Sequence, residues 1–226
     1  MRVARRTGLV LLVLGVVCPT APAQEPIPLG QAVEEGKVEA EITGLGGSTG
    51  DAIQVCVRRK VPQILRLTLA PGTVFKSTSG NAQDMVAAGI KGERVGEMTY
   101  RPTSQIVLSD DAEHRFVVEA FCLDFHKPNP TSKHAFALSP SDVRAAAVLS
   151  LGKEKAASMK VIQSALWIDR ERVTDTELKR RFSVNAEEIE QARQLIQETQ
   201  RARDIGRRGS PASATVSLAC RAISGQ

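Results

Sequence analysis

Long apolar runs are scarce in this chain, which argues against a membrane-spanning protein. One run, Gly8–Val17, lies near the N-terminus and is too short to cross a bilayer comfortably, and no second run offers a transmembrane helix. Histidine is nearly absent too, with three in 226 residues. Cys122, His126 and His134 are the only candidates for a metal, and their spacing matches no zinc motif. A cysteine hydrolase would set Cys122 against one of the histidines, and no local signature for one is present. The cluster GLGGSTGD at 44–51 lacks the lysine of a phosphate-binding loop and reads as a turn. There is no internal repeat and no low-complexity tract. What is left is ordinary globular composition, 42% hydrophobic and 24% charged, at a length that suits one domain. No cofactor is implied.

The N-terminus reads as a signal peptide over 1–23. Arg2, Arg5 and Arg6 form its positive region, Gly8–Val17 its apolar region, and Ala21-Pro22-Ala23 a small-x-small cleavage site. Cys18 follows Val17, where a lipobox wants a small residue, so lipidation is not expected. The expected destination is the periplasm or the medium. The whole chain carries a net charge of +5, but cleavage leaves 27 basic against 25 acidic residues. A net charge of +2 is a poor basis for nucleic-acid binding. The cluster Arg201, Arg203, Arg207 and Arg208 falls at a predicted helix end, where it complements the macrodipole.

Cleavage leaves three cysteines, an odd number for an exported chain. Cys56 in IQVCV and Cys220 in TVSLAC both sit in β-like runs, one near each end of the domain. A Cys56–Cys220 disulfide would close a long loop, worth about 4–5 kcal/mol in the chain-entropy model. Cys122 is then the odd thiol.

Residues 24–37 read as a flexible leader, and 38–226 as a single α+β domain. Its first part, 38–126, is β-rich and antiparallel, sandwich- or barrel-like. VEAEI, AIQVCVRRK, QILRLTLA, MTYRP, SQIVLS and HRFVVEAFCLDF are its strands. A helical part over 139–206 follows. Ser139 or Ser141 caps its first helix, Thr174–Glu177 has capping-box spacing, and Asn185 caps the last helix before Gly206 and Gly209 stop it. Residues 212–223 read as a strand returning to the sheet.

One residue conflicts with this pattern. Met159, Ile162 and Leu166 recur at i, i+3 and i+7, and Gln163 sits inside that apolar stripe. A buried carboxamide is costly unless something satisfies it. Cys122 lies some forty residues upstream, at the end of the most hydrophobic strand and just before the rigid exit HKPNP. If the fold brings the two together, the sulfur can attack the amide carbon, expel ammonia and leave an internal thioester. Near-attack geometry supplies roughly 10⁵–10⁸ M of effective concentration for such a step. The product survives only where water is excluded, and Phe121 and Trp167 are the obvious walls. Asp124 shares the face of Cys122 at about 7 Å, and His126 lies about 13 Å along an extended chain.

EAFCLDFHKPNP and VIQSALWI resemble the aromatic-Cys segment and the TQxA-type motif of the internal thioester domains of bacterial surface adhesins and related exported proteins. The likeness covers roughly residues 115 to 185. It implies a Cys122–Gln163 thioester, and the pocket expected around the pair is formed by Phe121, Asp124, His126, Ile162, Ala165 and Trp167. It also implies covalent attachment to an amine- or hydroxyl-bearing partner, an extracellular protein or glycan surface. The reaction is used once, so the protein is not an enzyme. One position departs from the family: the threonine before its glutamine is Ile162 here. The competing reading is a non-covalent structural or binding domain of the cell envelope, with Cys122 as a small core hydrophobe and the groove between sheet and helices as its binding surface.

Overall fold

A computed structural model describes residues 25–78, 80–97 and 99–209. The expected α+β fold is present, and the described residues form a closed six-stranded antiparallel barrel with an extra strand and five helices. The barrel order is β5 (Val74–Ser77), β10 (Ala135–Ser139), β2 (Val38–Gly44), β3 (Thr49–Arg59), β9 (Glu113–Cys122) and β6 (Met85–Arg94), and β5 pairs with β6 to close it. β7 (Tyr100–Pro102) extends β6 outside the ring. A small second sheet joins β1 (Ile27–Pro28), β4 (Leu65–Thr68) and β8 (Ile106–Leu108), with β1 parallel to β4.

Period-two alternation decides what fills the barrel. Ile53, Val55 and Val57 point inward from β3, and Phe116, Val118, Ala120 and Cys122 from β9. Met85, Ala87, Phe75 and Phe136 complete that core, and Leu65, Leu67, Ile106 and Leu108 of the small sheet pack onto it. Val86 and Phe121 point outward into a second core, built with α2 (Val143–Glu154), α3 (Met159–Glu171) and α5 (Ala186–Gly209). Full burial of such a Leu, Ile or Phe side chain is worth roughly 1.5–3 kcal/mol. No described helix is long and apolar enough to cross a membrane.

Several expectations need correction. Within the leader, 24–37, the described residues include an ordered helix, α1 (Leu29–Glu34). Leu29 and Ala32 are buried in the barrel core, so two apolar contacts tie down a segment whose composition reads as loose. β5, β6 and β10 were not expected. β6 carries register shifts at Ala87/Gly89 and Ile90/Gly92, and these bulges erase the alternation that announces a strand. SQIVLS yields β8, which pairs with β4 rather than joining the barrel.

The helical part follows the expected order. Thr174 and Glu177 form a capping box on α4 (Asp175–Arg181). Asn185 and Glu188 bond reciprocally at the start of α5. The cap of α2 is Asp142 rather than Ser139 or Ser141, because its carboxylate accepts from both Arg144 and Ala145 N–H. Helix α5 continues past Gly206 to Gly209. The segments expected to be a signal peptide, 1–23, and a return strand, 212–223, lie outside the described residues, as does Cys220.

His114 links β9 to β6. Its Nδ1 lies 2.7 Å from Glu93 Oε1 and its Nε2 3.0 Å from Asp110 Oδ1. Burial alone lowers the imidazole pKa, but the two carboxylates outweigh it and hold the net value above that of a free histidine. A pKa raised in the fold stabilises the protein fully below the unfolded value, near 6.5, and that stability is lost as pH rises through the folded value. Because the side chains are partly exposed, we expect a loss under about 1 kcal/mol. The urea midpoint of the wild type should fall between pH 6 and 8.5 by more than that of His114→Gln. Equal slopes would remove His114 as the cause.

Candidate functional site

Helix α3 starts at a Ser158 cap, whose hydroxyl accepts from Val161 N–H. Every residue from Val161 to Trp167 is buried, wedged among the barrel, α2 and α5. Met159 is the exception to the expected stripe, 50% exposed on the first turn. Gln163 is completely buried, as its place among apolar neighbours predicts.

Its carboxamide is satisfied by one residue, Cys122. The Cys122 N–H donates to Gln163 Oε1 at 3.0 Å, and Gln163 Nε2 donates to the Cys122 carbonyl at 2.7 Å. An N–H needs an acceptor and a carbonyl a donor, so only one orientation of the amide serves both. The contact lies where β3 begins. Thr49, its first residue, pairs with Phe121 of β9, and Ser48 O shares the Cys122 N–H at 3.0 Å. Gln163 takes the place a continuing strand would fill.

The Cys122 side chain follows the β9 alternation into the barrel, where its Sγ lies 3.3 Å from Met85 Sδ across the β6–β9 register. Burial, then the Asp124 carboxylate, push the thiol pKa well above its ordinary value, with Arg181 opposing weakly. Met85 is the contact that sequence reading missed, because a cross-strand partner depends on the register of a strand it did not assign.

The chain leaving Cys122 is held on all sides. Asp124 accepts from Asp84 N–H and from Lys127 Nζ, each at 2.9 Å. Glu171 of α3 accepts from Phe125 N–H at 2.7 Å, and Arg181 of α4 donates to Lys127 O at 2.6 Å. Phe125, Trp167 and Phe182 stack edge to face, with centroids 5.1 Å apart at each contact.

Of the six expected pocket residues, Phe121 and Ile162 wall a cavity of about 540 Å³ between the barrel and the α2–α3 turn. Asp124, His126, Ala165 and Trp167 do not line it. Asp124 is engaged as described, and Ala165 and Trp167 are packed in the two cores. The His126 side chain is 64% exposed and 3.8 Å from Glu171. His134 Nδ1 accepts from Thr131 N–H at 2.8 Å, so each histidine is occupied away from Cys122. Among the described residues, no three His, Cys, Asp or Glu side chains converge on a metal position. Among the described residues Cys56 and Cys122 form no disulfide, and Cys56 is half-buried on the outer face of β3 opposite Glu41 and Arg115. Its proposed partner Cys220 lies outside the described residues. Trp167 Nε1, Ser164 Oγ and Gln83 Oε1 are buried without a hydrogen-bond partner among the described residues. No protein-family model matches this chain, and neither does any curated protein or solved structure.

Proposed function

We propose that Cys122 and Gln163 close an internal thioester and that the protein uses it once, outside the cytoplasm, to attach covalently to an amine- or hydroxyl-bearing partner surface. The observation that carries this reading is the two-point docking of the Gln163 carboxamide on the Cys122 peptide. It puts the amide carbon beside the residue whose sulfur must attack it. The reading requires the thiol to leave Met85 and turn toward that carbon about its own χ1.

The step balances without a co-reactant. A bond forms from Sγ to the amide carbon, negative charge gathers on Oε1, and the carbon–Nε2 bond breaks. The thiol proton leaves on the nitrogen, which departs as ammonia. The Cys122 N–H already donates to Oε1, where that charge develops, in the manner of an oxyanion-hole donor. Because burial disfavours a free thiolate, proton transfer to Nε2 accompanies attack instead of preceding it.

The mature protein should weigh one ammonia less than its sequence, apart from any disulfide loss. Methylamine should restore mass and release a thiol, and Cys122→Ala should show neither change. A full-mass wild type would end the reading. One observation favours a non-covalent domain instead: the thiol is turned to Met85 while the Gln163 oxygen and nitrogen are each bonded to backbone. On that reading, partner capture is lost on boiling in detergent and survives Gln163→Ala.

A further inference from the structure

We propose that the acyl acceptor reaches the pair through the cavity between the outer barrel face and the α2–α3 turn, with Ile162 as the gate at its inner end. This rests on the thioester reading above. Two cavities are lined by residues next to Cys122 in the chain. One is walled by Phe121 and Ile162, the residues immediately before each partner, and holds about 540 Å³. The other is walled by Leu123 and Leu166, holds about 80 Å³, and is crossed by the ion pairs Arg144–Asp169 at 2.8 Å and Arg170–Asp142 at 2.9 Å. Only the first has room for a guest. Its volume falls in the range of small-ligand sites and suits one slender side chain of a partner that carries the nucleophile at its tip.

The walls are of two kinds. Ala88 of β6 and Ala157 of the α2–α3 turn line the cavity as small residues that leave it open, and Met159 lines it half-exposed. Phe121 and Ile162, 1% and 7% exposed, close it inward. Ile162 has little room to withdraw, because a Cβ added to Gly152 of α2 would meet its Cγ1 at 2.8 Å. The size of the side chain at 162 therefore fixes the barrier that water and acceptor both face.

The test uses the full mature chain, with methylamine as the probe, and reads thioester content by intact mass and opening by its rate. Ala88→Phe and Ala157→Phe fill the cavity from the barrel and from the α2–α3 turn. Both should keep the mass deficit of one ammonia yet slow methylamine opening at least about tenfold. Ile162→Val should open and hydrolyse several-fold faster than wild type. A wild type at full mass defeats the thioester reading and this proposal with it. A wild type that is lighter, with opening unchanged in the filled variants, defeats this proposal alone. If a filled variant melts well below wild type, Ile162→Val decides, and opening no faster than wild type overturns the gate.

Discussion

Gln163→Glu should cost about 3–4 kcal/mol of stability at pH 7 and little near pH 4. The site accepts one hydrogen bond and donates one: Oε1 takes the Cys122 N–H, and Nε2 gives to the Cys122 carbonyl. A carboxylic acid can do both. A carboxylate cannot, and it would hold a charge in a fully buried position against a carbonyl oxygen. The fold therefore raises the pKa of the introduced acid above its free value of about 4.3. Between the unfolded and folded values the native state binds the extra proton, so stability falls with rising pH by about 1.4 kcal/mol per unit. The loss is absent below the unfolded pKa and grows above it. Gln163→Leu removes the amide without adding a charge. It leaves the Cys122 carbonyl without that donor, and should cost about 1–3 kcal/mol at every pH. Both should be measured by urea unfolding in a Cys122→Ala background, so that no covalent bond contributes to the reference. A glutamate variant whose stability tracks the wild type across pH 4–7 would mean that the two backbone contacts do not form.

That clamp also marks how far the sequence could be read. Gln163 was legible because a carboxamide among apolar residues needs a partner, and Cys122 because its segment and VIQSALWI together resemble a known pairing. The helices were legible because caps are local: Thr174 and Glu177, and Asn185 with Glu188, satisfy one another within a single turn. Asp142 displaced the two serines because one carboxylate serves two N–H groups, and because Ser139 is still part of β10. The barrel was legible only in part. β3 and β9 carry inward Ile, Val and Phe at regular spacing, whereas β6 reads MVAAGIKGER, with small residues and two bulges. β10 is five residues long and makes sense only between β2 and β5. Leu29 and Ala32 are two apolar residues in a short helix, and nothing local distinguishes them from a loose segment. The cavity beside Phe121 and Ile162 is set by how α2 turns into α3 over the barrel, a tertiary distance that no motif encodes. That turn is itself tight: Ala156 adopts φ 50° to end α2, a position usually left to glycine.

Gly72→Ala should destabilise the protein by about 3 kcal/mol or more, the largest loss expected from a single added methyl group. Gly72 ties barrel to helices. Its N–H donates to Ala87 O of β6 at 2.9 Å, and its carbonyl accepts from the N–H of Asp142, the α2 cap, also at 2.9 Å. It does so at φ +91°, in the region that side chains avoid. A Cβ there would lie 2.5 Å from Ala146 Cβ and 2.9 Å from Asp142 O, so neither the helix nor its cap could stay in place. For a domain of this size, each kcal/mol lowers the melting temperature by about 2–4 °C, so a drop of roughly 6–12 °C is expected. Adding Ala146→Gly should recover part of the loss by removing the shorter contact, while the strained φ and the Asp142 oxygen remain. Full recovery would show that the methyl clash alone sets the cost, and a melting temperature within 2 °C or so of wild type for Gly72→Ala would show that barrel and helices are not joined at this residue.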